Sequence, residues 1–143
     1  MALTESISVK WDEEFQLVIS RGKHKVVIDR PALGEDENDH DEVVGPIDLF
    51  ITGLGACIMS VTASFLSRRD IPFQELRAVI SWDYVENPYR IGNIKVELKL
   101  PENMEKKVCM ALEKVTKACT VHNTLTHPPQ IDVGVDACLL LKE

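Results

Sequence analysis

Short apolar alternations open the chain. Ile7, Val9 and Trp11 alternate with polar residues, and "FQLVIS" and "KVVID" flank the turn-forming "RGKH". This period of two, broken at Gly22, predicts a small antiparallel sheet of up to three strands. The next apolar segment is of another kind. From Leu49 to Ser67 no charge interrupts 19 residues, and the run is preceded by "GPID". Pro46 suits a first helical turn and Asp48 the positive end of the helix dipole, so a helix is expected from about Pro46 to Arg68 or Arg69. It is apolar nearly all round, which predicts burial in the middle of the structure. Its length invites a membrane reading. However, two glycines and several Ser and Thr residues make it only mildly apolar, and it reads better as a core helix.

Period two then returns. Ala78, Ile80, Trp82 and Tyr84 share one side of a strand, "ENPY" breaks the run, and Ile94, Val96, Leu98 and Leu100 alternate with Lys95, Glu97 and Lys99. This predicts a hairpin with one buried and one wet face. After Pro101, the residues Met104, Val108, Ala111, Leu112, Val115 and Ala118 recur at helical spacing. They predict a second helix whose apolar stripe takes in Cys119, with Cys109 at its edge or outside it. "VHNTLTHPP" is expected to leave that helix. "IDVGVDACLLL" is expected to form a last strand, with Ile131, Val133, Val135 and Ala137 on one side and Cys138 on the other. The predicted order is β-β-β-α-β-β-α-β. It lacks βαβ alternation and points to an α+β fold of mainly antiparallel sheet. The length, 143 residues, suits a single domain over 1–143.

Charge and cysteine usage narrow the function. A formal charge of −7 gives no basis for binding nucleic acid or an anionic membrane. The acidic run Glu35–Glu42 reads as a solvated loop without the spaced ligands of a calcium loop. "MALTESISVK" lacks a signal-peptide pattern, so a cytoplasmic location is expected. There the four cysteines, Cys57, Cys109, Cys119 and Cys138, should start as thiols, and their spacing matches no zinc signature. Cys57 and Cys119 fall on two buried helix faces. Two thiols that meet in a core can run a sulfenic acid–disulfide cycle, provided the attacking thiol is held ionised. Cys119 and His122 offer two ligands of a metal site, with Cys57, His127 and His40 as further candidates, but zinc needs three or four converging ligands. Cys109 and Cys138 read as structural.

"GPIDLFITGLGACIM", followed about 60 residues later by "CTVHNTL", resembles the OsmC/Ohr family of osmotically inducible and organic-hydroperoxide-resistance proteins. The resemblance implies an intertwined homodimer, with two helices central between sheets from both subunits. It also implies a cofactor-free thiol peroxidase for organic hydroperoxides. In it Cys57 would be the peroxidatic and Cys119 the resolving cysteine, with a dithiol reductant for which a lipoyl group is the family's expectation. The family's peroxidases hold the thiolate with an arginine of the N-terminal hairpin, for which Arg21 is the candidate and Arg30 the alternative. They orient it with a glutamate ten residues before the cysteine. Here Ile47 stands at that position, and Asp48 beside it is the nearest acid, a candidate support that would equally serve as a helix cap. This departure points to a less characterised OsmC-like branch. It favours, as the alternative, a non-enzymatic dimer that binds an apolar ligand or senses redox state.

Overall fold

The computed structural model describes residues 5–13, 16–28 and 44–135. The acidic run, Arg30, His40 and Cys138 lie outside them. By its internal contacts the chain divides into two compact units, Met1–Gly53 and Leu54–Glu143, with the boundary inside the long helix.

In the first unit, β1 (Ser8–Trp11), β2 (Leu17–Arg21) and β3 (His24–Ile28) form an antiparallel sheet in chain order, as the alternation predicts. Ser8 pairs with Ser20 and Trp11 with Leu17; Leu17 then pairs with Ile28 and Arg21 with His24. Gly22 makes the β2–β3 turn at φ +57°, a conformation that costs glycine little because it has no Cβ. Among the described residues of this unit, Val18, Ile28 and Ile51 are the buried apolar ones.

The helix α1 runs Pro46–Ser67, within two residues of the expected bounds. Its 18-residue core has a mean hydropathy of 1.9 and is long and apolar enough to cross a membrane by length and composition, with 33% of that window buried in the chain. Within one chain the burial is one-sided. Ile51, Leu54, Gly55, Ile58, Thr62 and Leu66 are buried, while Phe50, Thr52, Gly53, Ala56, Ser60, Ser64 and Ser67 are exposed. The buried set recurs every three or four residues, so a single chain covers one stripe of the helix and leaves the other wet.

The second unit is built on the hairpin β4 (Arg77–Val85) and β5 (Arg90–Lys99). Ala78 faces Leu98, Ile80 faces Val96 and Trp82 faces Ile94. Gly55 of α1 lies against β4, where a Cβ would run into the Ile80 side chain, whereas Gly53 has open space around it. The predicted alternation fails at one point. The register shifts between Trp82 and Tyr84, and Tyr84 turns outward to stack on Tyr89 with ring centroids 5.2 Å apart. Asp83 holds the irregularity by accepting hydrogen bonds from the Asn93 backbone N–H (2.8 Å) and side-chain amide (3.0 Å). A bulge of this kind reverses which face each following residue takes.

After Pro101 the helix α2 spans Lys106–Val115, shorter than the stripe suggests. It tightens to a 3₁₀ turn over Thr116–Ala118 and breaks at Cys119, whose backbone is extended (φ −62°, ψ 129°). The chain has thus left α2 as expected, but "TVHNTLT" is itself helical and forms α3 (Thr120–Thr126). The last predicted strand is absent over residues 131–135, where Ile131, Val133 and Val135 are exposed, and Ala137 and Cys138 lie outside the described residues.

Among its described residues this unit holds two apolar clusters. In one, Leu66, Val108 and Leu112 meet Phe65, Ile71, Phe73, Leu100 and Met104. In the other, Leu54, Ile58 and Cys119 meet Cys57, Val61, Ile94, Val96, Leu98 and Val121. Leu66 and Thr62 are fully buried, yet the Thr62 hydroxyl has no hydrogen-bond partner. Urea denaturation should therefore separate two substitutions one turn apart. Leu66→Ala should cost about 2–5 kcal/mol through the cavity it leaves. Thr62→Val should be neutral or stabilising by about 1 kcal/mol, because it removes a buried hydroxyl that bonds to nothing.

Candidate functional site

Cys57 sits at the start of the fourth turn of α1, three residues after buried Leu54 and one before buried Ile58. Cys119, 62 residues later, is fully buried in the same cluster. The sequence stripe would bring Cys119 inward on α2. The structure brings it inward as the N-cap of α3, where its Sγ accepts a hydrogen bond from the His122 backbone N–H at 3.4 Å. A cap residue with extended backbone turns its side chain toward the first amides of the helix that follows. That turn carries the sulfur to the amides and to Cys57 together.

The two thiols, both free, are electrostatically unequal. Burial pushes Cys57 up, but the hydrogen bond from the Cys119 thiol and those from the Val121 and Thr120 amides outweigh it, and its pKa lies below the usual thiol value. Burial also pushes Cys119 up. There the bond it donates to Cys57 and the charge on Cys57 act in the same direction, and the His122 and Val121 amides only partly offset them. The pair therefore has an assigned acceptor and donor. Cys57 is the sulfur stabilised as thiolate, and Cys119 is the one that keeps its proton.

The other residues singled out in the sequence have different surroundings. Asp48 lies in the first turn of α1, and its Oδ2 accepts from the Gly45 backbone N–H at 2.9 Å. That is the reach-back half of a capping box, so its carboxylate is engaged in starting the helix. Ile47, beside it, is 42% exposed. Arg21 ends β2 in the first unit, where its exposed guanidinium meets the exposed Glu5 carboxylate at 3.2 Å. Among the described residues no three His, Cys, Asp or Glu side chains converge to hold a metal ion. His127 instead contacts Thr126 Oγ1 (3.1 Å) and the Asn123 carbonyl through its own Nδ1.

Sequence reasoning missed one part of the site, the helix that starts at Cys119. The signal was present in "CTVHNTLT". The hydroxyls of Thr124 and Thr126 donate back to the carbonyls of Thr120 (2.9 Å) and His122 (3.0 Å), as threonines inside a helix do. Beside the thiol pair lies a cavity of about 630 Å³, lined on its apolar side by Leu54, Ile58, Ile94, Leu98 and Leu112, and bordered by His122.

The profile of the family described as OsmC-like protein matches residues 39–134. Among curated proteins, none matches the sequence. Solved structures share the fold at low identity. An osmotic stress induced and detoxification response protein from Psychrobacter arcticus superposes with a TM-score of 0.71 at 13% identity, covering 87% of this chain and 90% of its own. An OsmC-like protein from Mycoplasma pneumoniae gives 0.69 at 18% identity, covering 95% and 96%. An organic hydroperoxide resistance protein from Elizabethkingia anophelis gives 0.59 at 18%, covering 90% and 93%.

The inequality of the two sulfurs has a direct readout. Alkylation by iodoacetamide, followed by mass spectrometry across a pH series, should modify Cys57 with a midpoint below that of Cys119. In Cys119→Ala the Cys57 midpoint should move to higher pH, because the thiol donor that lowers it is gone.

Proposed function

Because the chain belongs to the OsmC-like family, we propose that it is a thiol peroxidase that reduces organic hydroperoxides through Cys57 and Cys119. One observation carries the proposal: the two cysteines share a single buried cluster in which Cys57 is held toward thiolate by the Cys119 thiol and two backbone amides. The fold shared with organic hydroperoxide resistance proteins is consistent with it.

The cycle is written on this chain's own groups. The Cys57 thiolate attacks the distal oxygen of the hydroperoxide and the O–O bond breaks. The alkoxide leaves, takes a proton and becomes the alcohol, and Cys57 becomes a sulfenic acid. The charge on Cys57 is then gone, and with it one of the causes that kept Cys119 protonated. Cys119 ionises, attacks the Cys57 sulfur and expels water, leaving a disulfide. A dithiol reductant, of lipoyl type on the family's pattern, reopens it by two thiol exchanges. No cofactor enters these steps. The apolar lining of Leu54, Ile58, Val61 and Val121 favours alkyl or aryl hydroperoxides over hydrogen peroxide.

Arg21 takes the part of the family's thiolate-holding arginine, supplying a fixed fork of donors to the developing alkoxide. Asp48, already engaged at the helix start, supports the site by fixing where α1 begins. The protein acts as a cytoplasmic homodimer of one OsmC-like domain. The wet stripe of α1 and the exposed Val9, Trp11, Val26 and Val27 of the first sheet are the apolar surface that such an assembly would cover.

Consumption of cumene hydroperoxide with dihydrolipoamide tests the proposal. Cys57→Ser should lose turnover altogether. Cys119→Ser should react once and stall, and Arg21→Gln should lose about tenfold or more. One equivalent of peroxide should yield a Cys57–Cys119 disulfide by mass spectrometry. A wild type no faster than Cys57→Ser would end the enzyme reading.

A further inference from the structure

The cavity beside α2 and α3 is not part of the thiol pair, since neither Cys57 nor Cys119 lines it. Its volume, about 630 Å³, is that of a small-molecule site. Leu54, Ile58, Ile94, Leu98 and Leu112 make it apolar. Two charges border it, Glu113 and Lys117, one turn apart and of opposite sign, so the border carries no net charge. His122 is the ring that breaks the apolar lining. Its Nδ1 is buried and bonds to nothing. Buried N–H groups without acceptors are rarer in proteins than under-used acceptors, which assigns the ring proton to Nε2. The nitrogen left for a ligand is therefore a donor.

We propose that this cavity binds a small, uncharged, mainly apolar molecule bearing one acceptor oxygen, and that the Nε2–H of His122 holds that oxygen. An uncharged ligand suits a border whose charges cancel, and an apolar body suits the aliphatic lining. A single acceptor oxygen satisfies the ring donor; the hydroxyls of Thr116 and Thr126, also in the lining, already donate to the carbonyls of Glu113 and His122, and the Lys117 ammonium is a further donor of the lining. His122 also ties this site to the thiols, because its backbone N–H bonds the Cys119 sulfur while its side chain borders the cavity. The proposal does not rest on the peroxidase reading. It concerns a ligand held beside the sulfurs without reacting with them.

The full-length reduced protein should be titrated with 2-octanone, which thiols leave intact on this timescale, and followed by methyl NMR. Saturable shifts are expected at Leu54, Ile94, Leu98 and Leu112. His122→Phe keeps a ring and removes the donor, and should weaken binding about fivefold or more. His122→Gln restores a donor and should bind within about twofold of wild type, a rescue that loss of folding could not imitate. Saturating 2-octanone should leave the alkylation rate of Cys57 unchanged. The proposal is overturned by the absence of saturable shifts up to the ketone's solubility, by equal affinity in His122→Phe, or by protection of Cys57. None of these outcomes bears on whether cumene hydroperoxide is turned over.

Discussion

Cys119 occupies two positions at once, and the arrangement of the site depends on this. As N-cap of α3 it accepts the His122 amide, and as a buried side chain it meets Cys57. Each role constrains the other. The extended backbone that ends the 3₁₀ turn aims the sulfur, the sulfur receives the first amides of α3, and those amides also reach Cys57. Capping alone would be served better by serine, threonine, aspartate or asparagine, whose oxygens are stronger acceptors than sulfur. A cysteine at a cap makes physical sense when the sulfur is needed for something besides the helix.

The same junction explains why the two thiols divide so clearly. Two identical groups in one apolar cluster would share desolvation and both be pushed up. Here the amides of Thr120 and Val121 and the neighbouring thiol favour charge on Cys57, while Cys119 spends its proton on that charge. The asymmetry comes first from the thiol–thiol hydrogen bond and then from the backbone amides at the start of α3, with no charged Lys, Arg, Asp or Glu side chain among its causes.

Much of this was legible from periodicity. The three N-terminal strands, the bounds of α1 and the β4–β5 hairpin follow from periods of two and 3.6, because burial on one face writes itself into alternation. The pairing of Cys57 with Cys119 was also legible, though for an incomplete reason. The apolar stripe of α2 ends at Val115, and Cys119 reaches the core by a break that no stripe records. The turn-out of Tyr84 escaped for a related reason. One bulge, held by Asp83 and Asn93, inverts the phase, and periodicity counts residues without seeing bulges. The buried Nδ1 of His122 depends on packing from several elements and has no local sequence signal.

The one-sided burial of α1 has a consequence for how stability is measured. One stripe of α1, which is mildly apolar and free of charge from Leu49 to Ser67, faces solvent in the isolated chain. Any copy that covers this stripe binds the folded form and not the unfolded one, and so draws the folding equilibrium with it. Unfolding midpoints would then rise with protein concentration. A melting temperature for this chain would then be a property of the solution as much as of the sequence.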